Sequence, residues 1–66
     1  MIIFGQSNRI KPLAKIDNLP HDIHQGDSIY LHTKELSIKG IVEEVFHDIF
    51  LTERNEHDTW IIIKLQ

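Results

Sequence analysis

The chain has no cysteine among its 66 residues, so no disulfide and no thiolate metal site can staple it. That absence agrees with a reducing, cytoplasmic setting, although many secreted domains also lack disulfides. Basic residues are outnumbered: seven Lys and Arg against ten Asp and Glu leave a net charge of -3 with histidines neutral. This balance argues against general nucleic-acid binding, which calls for a basic face. No apolar run approaches the ~18 residues of a membrane helix, and the opening Met1-Ile2-Ile3-Phe4 has no basic flank or cleavage site that would make it a signal peptide. Three glycines are too dispersed to form a phosphate-cradling loop.

What is present is ordinary globular material, 41% hydrophobic and 26% charged. Residues 1–66 are read as one small domain. A chain of this size hides only ~60% of the surface its unfolded form exposes. Self-association is the remaining source of extra burial, and a homo-oligomer is expected.

Hydrophobicity alternates with period two nearly everywhere. Met1–Phe4 reads as a short strand stopped by Gly5, with a turn at Gln6, Ser7 and Asn8. Ile10–Ile16 reads as a second strand, with Ile10, Ala14 and Ile16 on one face. Pro12 within it belongs at an edge or a bulge. Asp17-Asn18 turns the chain, Leu19-Pro20 starts an extended stretch, and a short helical turn fits Pro20–Gln25. Ser28–His32 follows a Gly26-Asp27 turn and puts Ile29 and Leu31 on one face. Leu36–Phe46 reads as a long strand, bent at Gly40. Val42, Val45, Phe46 and Ile49 also fit helical spacing, but Gly40 and the β-branched neighbours favour a strand. A turn at His47-Asp48, a strand at Ile49–Arg54, a polar loop at Asn55–Asp58 and a last strand at Trp60–Leu65 complete the pattern. The fold expected is all-β: a small, strongly bent antiparallel barrel of five or six short strands. Residues 26–65 form its core, and residues 1–25 supply N-terminal strands or an arm.

Three segments carry a likeness: Gly26-Asp27-Ser28-Ile29-Tyr30-Leu31, Ile38-Lys39-Gly40-Ile41-Val42-Glu43-Glu44 and Ile49-Phe50-Leu51. With them, residues 26–65 resemble a small β-barrel of the SH3-like or Sm-like kind. The resemblance implies barrel architecture and, from the Sm-like proteins, a tendency to assemble through edge strands. Where those proteins have an N-terminal helix, this chain opens with an apolar β-like run. Where they carry a basic or histidine motif near the last strand, it reads Trp60-Ile61-Ile62-Ile63-Lys64-Leu65. RNA binding is therefore not part of what the resemblance implies here.

Catalytic constellations are missing. Ser7, Ser28 and Ser37 lie in turns or strands rather than in a nucleophile elbow. Glu43 and Glu44 are adjacent and would project to opposite faces of a strand. No enzyme activity and no cofactor are expected. His21 and His24, three apart and close to Asp22 and Asp27, form a weak candidate metal cluster. A solvated loop explains them more simply, and His32, His47 and His57 read as turn residues.

Apolar residues on the second faces suggest binding. Phe50, Trp60 and Ile62 should face away from Ile49, Leu51, Ile61 and Ile63. Such a patch marks an interface or is covered by the chain's own N-terminal run. Ile2, Phe4, Tyr30, Phe50, Trp60 and Ile62 are the candidate interface residues. The near-continuous apolar runs at the two ends would pair with each other or between copies. The function expected is a non-catalytic protein-binding module, of a size that suits a phage or mobile-element inhibitor of a host component. A small-ligand or nucleic-acid-binding oligomeric barrel is the alternative, with Lys11, Lys15, Lys34, Lys39, Arg54 and Lys64 to be gathered by the fold and Tyr30, Phe50 or Trp60 to stack on bases. No membrane partner is expected.

Overall fold

A computed structural model describes residues 1–7, 9–19 and 22–65, and the side chains of all of these except 9–11. It is all-β, with five strands in one strongly curled half-barrel. The strands are β1 (Ile2–Gln6), β2 (Arg9–Ile16), β3 (Ser28–His32), β4 (Ser37–Phe50) and β5 (Glu56–Leu65), and their order across the sheet is β2-β1-β5-β4-β3.

The apolar ends of the chain find each other. β1 lies beside β5, with Phe4 opposite Ile61, and the two strands run parallel. The other three pairings are antiparallel, so the sheet is mixed rather than wholly antiparallel. β5 is the central strand, flanked on both sides. That position explains why Ile61, Ile62 and Ile63 are all buried although successive residues face opposite ways. Phe4, Val42, Ile61 and Ile63 form the concave core, against which Ile2, Ala14, Ile29, Leu31 and Val45 pack. Leu19 and Ile23, from the segment linking β2 to β3, close over the same core. That segment contains no helix among its described residues, and Pro20 and His21 lie outside them.

β4 is the longest strand, at 14 residues, and it follows the curl of the sheet. Two features bend it. At Gly40 a side chain would collide with Ile63 and lie 2.6 Å from the Lys64 carbonyl oxygen, so only a bare Cα lets β5 come this close. Past Val42, which faces Ile63, the register slips by one residue and Glu44 faces Ile62. This bulge gives Val42 and Val45 the three-residue spacing that mimics a helix, and leaves both Glu43 and Glu44 exposed.

The turn expected at His47-Asp48 is absent. β4 runs on to Phe50, and the reversal comes at residues 51–55, where Asn55 has a φ of 48°. β5 accordingly begins at Glu56, inside the stretch expected to be a loop. The polar residues of this hairpin have cross-strand partners. Asp48 accepts a 3.1 Å hydrogen bond from Trp60 Nε1, and His47 stands opposite Thr59. Strand start is also shifted at the other end, since Leu36 precedes β4 and closes the 33–36 turn through its N–H donating to Thr33 Oγ1 at 3.1 Å. Gly26, at φ 93°, turns the chain into β3, and its N–H donates to the Val42 carbonyl. Pro12 sits where β1 and β2 lose regular register, on an edge strand, as a proline must.

A valine at position 40 must push Ile63 and the β5 backbone away. Gly40→Val is expected to cost ~3 kcal/mol, the upper end for overpacking, from a total stability of about 3–10 kcal/mol for a domain this small. Urea denaturation followed by Trp60 fluorescence reads the loss, and an unchanged midpoint would mean that the close approach at Gly40 is not what fixes the bend.

Candidate functional site

The expected interface residues do not form one patch. Phe4 is only 3% exposed and belongs to the concave core, where Ile2 packs beside it. Ile62 is 8% exposed and lies on the convex face with Trp60. Tyr30 is on that face too, but on edge strand β3, 62% exposed and stacked on His32 with ring centroids 4.6 Å apart. Phe50 is exposed at the far end of the hairpin.

Trp60 is held from three sides. Its ring stacks on Phe46 with centroids 6.0 Å apart and an interplanar angle of 6°. Its Nε1 is tied to Asp48. Its six-membered ring passes over Gly5, where an added Cβ would lie 3.5 Å from Trp60 Cε3 and 3.2 Å from Ile62 Cδ1. The aromatic group that the sequence marks as available for a partner is half-buried by its own sheet.

More accessible apolar groups stand where the hairpin ends: Ile49 is 64% exposed and Leu51 83%. The adjoining edge of β4 is also open. β3 covers β4 from Ser37 to Ile41, and Gly26 and Asp27 exchange two hydrogen bonds with Val42. Beyond that, residues 44–50 pair with β5 alone, Glu43 being the bulged residue, and no backbone hydrogen bond among the described residues reaches the other side of 43–50. The sheet's other edges are protected as exposed strands usually are. β2 carries Pro12 and two lysines, and β3 is five residues long. Residues 43–50 have neither proline nor lysine; what guards them is the bulge at Glu43 and the acidic side chains of Glu43, Glu44 and Asp48, which leaves 49–50 and the stretch 45–47 without a charge.

On the concave side, a cleft of about 410 Å³ opens between the 19–25 segment and the sheet. Its floor is apolar, made by Ile2, Val45 and Ile61, and His24, His47 and Thr59 supply polar groups at its walls. His47 and Thr59 face each other across β4 and β5, and His57 is two residues along the same face. His47 Nδ1 lies 2.9 Å from His57 Nε2 and 3.1 Å from Thr59 Oγ1. The cluster suspected around His21 and His24 is not assembled by the described residues. Asp27 instead accepts a 2.8 Å hydrogen bond from the His24 N–H, which stabilises the turn before β3, and His21 lies outside those residues. Among the described residues there is no group of three His, Asp or Glu placed to hold a metal ion.

No family model, curated protein or solved structure matches this chain. Among the described residues, no helix is long and apolar enough to cross a membrane.

Sequence reading missed the free β4 edge and the His47–His57 pairing for the same reason. Both follow from a strand that continues through His47-Asp48, where a turn was expected. Two histidines ten apart, flanking a polar loop, were the available signal. For Trp60, removal of the whole ring is expected to cost ~3 kcal/mol, while Trp60→Phe, which keeps one ring on Phe46 but loses the bond to Asp48 and part of the cover over Gly5, costs ~1–2 kcal/mol. Thermal unfolding by circular dichroism separates the two, and equal losses would show that the stack contributes nothing.

Proposed function

We propose that this protein is a non-catalytic protein-binding module that works by strand pairing through the open edge of β4. The observation that carries this reading is the unpaired stretch of residues 43–50, ending in the exposed Ile49, Phe50 and Leu51. Free backbone donors and acceptors beside apolar side chains are what strand addition uses: main-chain hydrogen bonds give affinity, and alternate side chains give selectivity.

The simplest partner is a second copy. Antiparallel pairing of this edge about a two-fold axis at His47 puts Val45 opposite Ile49 twice, and Glu44 opposite Phe50. An axis at Phe46 would put Glu44 opposite Asp48, and one at Asp48 would oppose two aspartates. Like charges directly opposite are destabilising, so His47 is the favoured centre. Self-association would also add apolar burial to a core with only six buried hydrophobic residues among those described. The sequence resemblance of residues 26–65, with Gly40 in the second strand, to SH3-like and Sm-like barrels supports this mode of assembly. An inhibitor that pairs with a strand of a host protein would use the same edge.

Nucleic-acid binding is the second reading, favoured by one observation. Tyr30 and His32 share the convex face with Lys39 and Lys64, which gives a stacking surface with two cations. Salt-sensitive binding of an RNA or DNA oligomer, lost in Tyr30→Ala, would support it.

Sedimentation across a concentration series tests the main proposal. A reversible dimer is expected, reduced to monomer by Ile49→Lys with Phe50→Lys, because lysines on an edge block pairing. Both positions are exposed, so folding should change by ~1 kcal/mol or less. A wild-type chain that stays monomeric at the highest concentration would rule out self-pairing.

A further inference from the structure

Three lone-pair atoms converge on the concave side of the hairpin. His47 Nδ1, His57 Nε2 and Thr59 Oγ1 form a triangle with sides of 2.9, 3.1 and 3.5 Å. All three side chains come from adjacent positions on one face of two paired strands, so the arrangement is set by the β4–β5 register rather than by a loop. The point equidistant from the three atoms, in their plane, is about 1.9 Å from each. Zinc–imidazole distances are ~2.0–2.1 Å. An ion at that distance from all three would sit about 1 Å above the triangle, as the ion does over one face of a tetrahedral or octahedral site.

Hydrogen bonding uses this convergence poorly. His47 Nδ1 carries either one proton or one lone pair, yet it faces both His57 Nε2 and Thr59 Oγ1. A cation would take the lone pairs of all three atoms at once. The site is exposed, so water can complete the coordination. The net charge of -3 favours a cation, and Asp22 and His24 line the cleft that His47 and Thr59 also line.

We infer that His47, His57 and Thr59 form a binding site for a late first-row divalent cation, with two imidazoles as principal ligands and the threonine hydroxyl as a weaker third. Imidazole donors select zinc, nickel and copper over magnesium and calcium. All three donors belong to one chain, so the inference does not rest on strand pairing between copies.

Calorimetric titration of metal-stripped full-length protein with zinc, nickel or magnesium chloride tests the site. Histidine ring resonances followed by NMR identify the ligands. One equivalent of zinc and of nickel is expected to bind, with nickel tighter and magnesium silent, and the rings of His47 and His57 should shift together. His47→Gln and His57→Gln should each weaken binding at least tenfold, Thr59→Val by a smaller factor, and His24→Gln hardly at all. Circular dichroism confirms that each variant is folded, and repeating the titration at protein concentrations below and above the onset of self-association separates the site from assembly. Absence of zinc binding to folded protein would overturn the inference. Binding that survives His47→Gln with His57→Gln would do so as well, by placing the ion elsewhere.

Discussion

Ile63 is fully buried on the central strand, and its side chain fills the space that any side chain at position 40 would need. Most of the architecture depends on this close approach. It lets β4 curl over β5, which turns a flat meander into a half-barrel with a concave face. That curl brings Val42 and Ile29 onto Phe4, Ile61 and Ile63 and makes a core from very few residues. It also leaves the far half of β4 extending beyond β3, with one edge unpaired.

The hairpin formed by that far half is held differently from the barrel. Near Gly40 the strands are fixed by buried apolar packing, whereas beyond the Glu43 bulge the fixings are mostly polar or aromatic and partly solvated. They are the Phe46–Trp60 stack, the Trp60–Asp48 hydrogen bond and the His47, His57 and Thr59 contacts. The α-amino group of Met1, which donates to the His57 carbonyl at 3.0 Å, adds one more. Exposed contacts of this kind contribute little each. The hairpin should open locally at lower free energy than the core, a property common to segments that engage partners.

The open edge and the histidine pair are two uses of the same extension. One is a main-chain surface and the other a side-chain cluster, and both arise because β4 does not turn where its polar residues suggest. A radius of gyration of 12.1 Å, against about 10.8 Å for a compact chain of this length, is in keeping with such a projecting element.

Much of this was legible in the sequence. Alternation gave the all-β class, Gly40 marked the bend, and Pro12 marked an edge. The facing of Ile61, Ile63 and Leu65 against Trp60, Ile62 and Lys64 followed from period two alone. These are local properties, set by the stereochemistry of each residue and its neighbours. Only the tertiary structure decided the rest. The parallel pairing of β1 with β5 joins segments more than fifty residues apart, and no local pattern distinguishes it from pairing between copies. The bulge at Glu43 is fixed by how β4 must follow β5 around the bend. His47-Asp48 has the polarity of a turn, and it remains in a strand because Thr59 stands opposite His47 and the Trp60 Nε1–H reaches Asp48 from the diagonal position.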